Sequence, residues 1–87
     1  MIDWYRRKTW TKADEEEYFT KLGRARKDGR AQYLRIQAIE LVETKDSKLL
    51  DVAESLILKL FSDYPDDEFE RSSSLKTLGH LQIQKAV

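Results

Sequence analysis

From Leu49 to Tyr64 large apolar side chains recur at every third or fourth place, and this run narrows the choice of fold more than any other feature. Leu49, Leu50, Ala53, Leu56, Ile57, Leu60, Phe61 and Tyr64 fall on one broad face of a helix, with Asp51, Glu54, Leu58 and Ser62 opposite. Pro65 stops it, because proline lacks an N–H donor and disfavours helical geometry in the residue before it. Such a face needs apolar partners, and the rest of the chain can supply them only as helices. Three glycines and one proline in 87 residues are too few turn formers for a sandwich or barrel. The spacing predicts one all-α domain: an aromatic strap over 1–11, then helices over 12–28, 30–44, 48–64 and 67–86.

Local signals place the breaks. Thr11 with Asp14 three residues on reads as a capping box, followed by the acidic first turn Asp14–Glu17. Asp28-Gly29 is the expected stop of the first helix, and Asp46 or Ser47 the cap of the third. The second helix carries Ala31, Leu34, Ala38, Leu41 and Val42 on one stripe, with Ile36 and Ile39 to the side. Contact on two sides makes it the central element, and Tyr33, Gln37 and Glu40 are left as a stripe for solvent or a ligand. Asp66 or Asp67 caps the fourth helix, on which Leu75 and Leu78, with Leu81 as a further candidate, are expected to face the third. Phe69, Ile83 and Val87 fall on another side, and this open end points to self-association. Trp4, Tyr5 and Trp10 carry too much apolar area to stay in water, so the strap is expected to dock on the first two helices; an aromatic binding ledge is the functional alternative.

Most chemistries find no footing. Sixteen basic and sixteen acidic side chains cancel, so no overall field attracts nucleic acid. Residues 1–45 hold eleven Lys/Arg against eight Asp/Glu and residues 46–87 five against eight, balances of +3 and −3. Without cysteine there is no disulfide or thiolate site, and one histidine is too few for a zinc site of the usual kind. No metal or cofactor is expected. No apolar run reaches membrane-spanning length, and the reading is of a cytoplasmic protein that is not an enzyme. His80 lies beside Ser73 and Lys76 at helical spacing, with Glu70, Ser72 and Ser74 in the neighbourhood, but no nucleophile elbow or oxyanion-forming glycine loop accompanies them. The acidic run Asp63–Glu70 lacks the alternating ligands and central glycine of a calcium loop and reads as one helix stopping and another starting. Gly23–Arg30 with Arg6, Arg7 and Lys8 is the best basic patch, and the Trp/Tyr cluster beside it could stack on bases. Helix-end electrostatics accounts for the same residues.

Two stretches resemble a helical repeat. Ala53-x-x-x-Ile57 with Pro65 eight residues beyond is similar to the second half of the tetratricopeptide pattern, and Leu75-x-x-Leu78-Gly79 to the opening of the next unit. Gln82 stands where that pattern has an aromatic residue. As a whole the chain resembles the N-terminal portion of a bacterial tetratricopeptide-repeat family that opens with Trp-Tyr-Arg and Thr-Trp-Thr segments, here Trp4-Tyr5-Arg6 and Thr9-Trp10-Thr11, followed by a block like Ala31–Ala38. The resemblance implies stacked helical hairpins in a short right-handed solenoid, continuing into further repeats, and a role in protein binding.

Stacked hairpins leave the first helix of each pair lining a concave surface suited to peptides. Arg30, Tyr33, Gln37 and Glu40 on the second helix, and Ser73, Lys76 and His80 on the fourth, are the expected contacts for a peptide or protein partner. Gln37 is suited to pair with a peptide backbone. Ile83 and Val87 are the expected self-association residues. The alternative is a nucleic-acid-binding helical domain using the basic, Trp-rich N-terminal third.

Overall fold

The computed structural model describes residues 4–86, and Val87 lies outside them. The fold is all-α: α1 (Lys12–Arg24), α2 (Lys27–Glu43), α3 (Ser47–Asp63) and α4 (Glu68–Ala86), with no strand among the described residues. Thr11 and Asp14 form the capping box of α1: the Thr11 hydroxyl accepts the Asp14 N–H at 3.1 Å and Asp14 accepts the Thr11 N–H at 2.9 Å.

The first break differs from the sequence expectation. It falls at Ala25 and Arg26, both in extended backbone, and Asp28-Gly29 sits inside the first turn of α2. Arg30 explains the shift. Its guanidinium reaches back to donate to the Gly23 carbonyl at 2.7 Å and the Ala25 carbonyl at 3.1 Å, satisfying acceptors that the end of α1 leaves open. Asp28 then lies at the positive end of α2, where a carboxylate is favourable. Gly29 makes room for a neighbour, since a Cβ there would meet the Tyr33 ring at 3.3 Å.

The α2–α3 turn closes through Lys45, whose φ of 60° is the left-handed conformation that usually follows a helix. Asp46 caps α3 by accepting the Lys48 N–H at 2.9 Å. Tyr64 ends α3, and Asp67 caps α4 by accepting the Glu70 N–H at 3.1 Å.

α2 packs most closely on α3, α4 lies against both, and α1 stands farther off. Leu34, Leu41, Leu56, Ile57, Leu60 and Leu81 are fully buried, each worth roughly 1.5–3 kcal/mol of transfer free energy. Tyr18 and Leu22 carry the α1 side of this core, with Trp4, Tyr5 and Trp10 packed against it. Leu75 does not face α3: it is 57% exposed, while Leu81 is buried and Leu78 half-buried. The cause is polar. Glu70 and Ser74 are turned inward on α4, where Glu70 pairs with Arg35 of α2, and that rotation swings Leu75 outward.

Candidate functional site

The functional interest lies on the two flanks of α2, one filled by the chain itself and the other open. On the first flank the segment before α1 runs along the helix. Trp4 meets the Tyr33 and Tyr18 rings at centroid distances of 5.2 and 5.4 Å, Tyr5 meets Tyr33 at 4.6 Å, and Trp10 meets Tyr18 at 5.3 Å. Tyr18 is fully buried and its hydroxyl donates to the Tyr33 carbonyl at 3.1 Å. Burial pushes its phenol well above the ordinary range, with Tyr64 adding to the effect. At the centre is Gln37, also fully buried: its Oε1 accepts the Arg7 N–H at 3.0 Å and its Nε2 donates to the Arg7 carbonyl at 2.8 Å. One side chain thus satisfies both main-chain groups of one residue, as a neighbouring strand would.

Charge completes the attachment. The Arg7 guanidinium bridges to Asp14 at 3.0 Å and Glu17 at 2.9 Å and donates to the Trp4 carbonyl at 3.0 Å. Lys8 and Arg6 meet Glu40 at 2.7 and 3.3 Å. The Lys8 ammonium, with Arg6 beside it, holds the Glu40 carboxyl below its ordinary value, and Glu40 in turn raises Lys8. Asp14 is lowered chiefly by the Thr11 N–H and the Thr9 hydroxyl, and Glu17 by Lys21 and then Arg7.

On the other flank a cleft of about 400 Å³ lies between α2 and α4. Ile39 and Val42 give it an apolar side, and its rim holds two lysines, Lys45 and Lys76, against one acid, Glu43, with His80 beside them. A further hollow of about 490 Å³ is lined by Phe19, Leu22, Tyr64 and Lys59 among others, and Lys59 pairs with Asp63 at 2.8 Å.

The expected partner-binding residues therefore divide. Arg30 is spent on the carbonyls of α1. Tyr33, Gln37 and Glu40 are brought together, but by the strap, and the fully buried Gln37 is closed to any other ligand while the strap is in place. Lys76 and His80 meet in the open cleft, and Ser73 is half-buried beside them, its carbonyl accepting the Thr77 hydroxyl at 3.3 Å. His80 is exposed and hydrogen-bonds to no serine or carboxylate among the described residues. Ile83 is 66% exposed. Sequence reasoning missed Lys45, and it missed the Arg35–Glu70 pair. Ile39 carried a usable signal, its place on the second apolar side of α2.

Among the described residues no three His, Cys, Asp or Glu side chains come together as a metal site, and no helix is long and apolar enough to cross a membrane. Comparison with protein-family models, with characterised proteins and with solved structures finds no match for this chain, so its side-chain geometry carries the functional reading.

Proposed function

We propose that this protein is a non-catalytic interaction module that holds an extended polypeptide along α2, on the concave side of a short tetratricopeptide-like stack of hairpins. The observation that carries this reading is Gln37 clasping both main-chain groups of Arg7. Pairing with a backbone is blind to side-chain identity, while the surrounding Tyr18, Tyr33, Asp14, Glu17 and Glu40 supply the selectivity. The preferred partner is a segment with adjacent aromatic residues followed by basic ones, the chemistry of Trp4–Lys8. The packing of α2 on α3 with α4 across both supports the hairpin stack. The nucleic-acid reading draws less support, because Arg6, Arg7 and Lys8 are engaged by the chain's own carboxylates.

The test uses the full chain with Arg7→Glu, which sets the strap against Asp14 and Glu17 and vacates the groove. A fluorescent peptide of residues 4–11 should bind this variant saturably and the unaltered chain far more weakly, since the tethered strap competes at high effective concentration. Adding Gln37→Ala should remove the binding. If Arg7→Glu keeps its helical circular dichroism and no peptide binds, the proposal fails.

A further inference from the structure

Among the described residues four large apolar side chains stand exposed, and three of them, Phe69, Leu75 and Ile83, belong to α4. Phe69 is the most exposed, at 71%, and it projects just after Asp66, Asp67 and Glu68. At 100° per residue Phe69, Lys76, His80 and Ile83 share one stripe of α4, with Ser73 at its edge and Leu75 off it. The same stripe borders the α2–α4 cleft, whose apolar side is Ile39 and Val42 and whose rim holds Lys45, Lys76 and His80. One end of α4 thus presents an aromatic ring among carboxylates, and the other an apolar recess where Lys45 and Lys76 outweigh the single acid, Glu43. The two ends complement each other in shape and charge, but a single helix cannot fold back to bring them together.

We infer that a second copy of this chain covers the face, with two α4 helices antiparallel about a two-fold axis and Phe69 of each seated in the cleft of the other. Placing Phe69 opposite His80 sets the axis between Ser74 and Leu75 and brings Ser73 opposite Lys76, a small residue beside a long aliphatic stem. Asp66 and Glu68 then arrive at the cationic end of the partner's cleft. An isologous contact of this kind forms both Phe69 insertions at once and closes at two copies, with no open chain of molecules. Lys45 fits the same account. It holds a left-handed backbone that glycine or asparagine would take with less strain, and it stands at the rim of the cleft. This interface does not use the strap groove and stands whether or not that groove binds peptides.

The absence of cysteine makes the register directly testable. Ser73→Cys places the two sulfurs about 5 Å apart along the helix axes in the antiparallel pair, whereas Ile83→Cys places them roughly 25 Å apart. Sedimentation of the unaltered chain should show a concentration-dependent dimer. A short bis-maleimide should link Ser73→Cys into dimers and leave Ile83→Cys unlinked. Phe69→Glu, a change at an exposed position, should give monomer with unchanged helical circular dichroism. Lys45→Glu keeps the left-handed backbone residue non-glycine and reverses its charge, and it should weaken the dimer at least tenfold. A chain that stays monomeric at high concentration overturns the inference. So does linkage of Ile83→Cys in preference to Ser73→Cys, or a dimer that survives Phe69→Glu.

Discussion

The two flanks of α2 solve the same problem in opposite ways. Against the strap, α2 presents Tyr33, Gln37 and Glu40, and the Gln37 amide, the Glu40 carboxylate and the Tyr33 carbonyl each meet a partner from the same chain. Against α4 it presents Ile39 and Val42 beside a cleft, and the nearest exposed aromatic ring, Phe69, lies too far along α4 to fill it. Leaving a buried polar group without a partner is costly, about 1–3 kcal/mol for an unmet donor or acceptor. Apolar and solvated cationic surface tolerates a vacancy well. The closed flank therefore depends on a few specific bonds, and the open one is free to serve an outside partner.

Gln37→Leu should break this comparison most completely. Leucine matches the volume but abandons the Arg7 N–H and carbonyl, so the strap must either bury two unmet groups or lift away. The expected loss is about 2–3 kcal/mol, a drop of roughly 10–20 °C in the thermal midpoint for a domain of this size. Tryptophan emission should shift to the red, as Trp4 and Trp10 regain water. A substitution of the open flank such as His80→Gln should change neither reading.

Acid should loosen the same flank by degrees. Glu40, Glu17 and Asp14 are all held below their ordinary values of 4.5, 4.5 and 3.8. A carboxyl with a lowered folded value contributes its full stabilisation above its unfolded value and loses it as pH falls through the folded one. Strap attachment should therefore be constant from neutrality down to about pH 5 and weaken progressively below about 4.5. Trp emission followed through an acid titration reads this, and added salt should mimic it in part, since these pairs are solvent-accessible. Tyr18→Phe is a milder probe. It keeps the ring packing and deletes one hydroxyl bond to a carbonyl that α2 already engages, for a loss of about 1 kcal/mol in denaturant unfolding.

The same contrast explains what could be read from the residues. The stripe of α3 was readable because burying Leu56, Ile57 and Leu60 is a matter of spacing alone, and the four-helix order followed from it. Gln37 was readable as a backbone-pairing group, but not that its partner is Arg7 thirty positions earlier, since no periodicity links a strap to a helix. The contacts of Arg30 are unreadable for a related reason: only the path of the chain aims its guanidinium at the Gly23 and Ala25 carbonyls. Spacing alone turns Leu75 inward, yet the Arg35–Glu70 pair sets the rotation of α4, and long-range ion pairs leave no pattern in one sequence. The open cleft was half readable. Lys76 and His80 share a face by spacing, but Lys45 joins them only through the left-handed turn at the end of α2.

Gly79→Ala is the smallest and cleanest probe. Gly79 lies in the exposed interior of α4, and a Cβ there would meet nothing within 4 Å. Alanine loses less backbone entropy on folding, so the substitution should stabilise the chain by about 0.5–1 kcal/mol. The matching change at Gly29 meets the Tyr33 ring at 3.3 Å and presses on the closed flank, so its helical gain should be reduced or cancelled. Both substitutions replace one glycine within a helix, so the difference between their midpoints in urea isolates how tightly the strap side is packed relative to the α4 side. Equal gains at the two positions would mean that the closed flank yields as readily as the open one, and the contrast between them would then rest on the polar bonds alone.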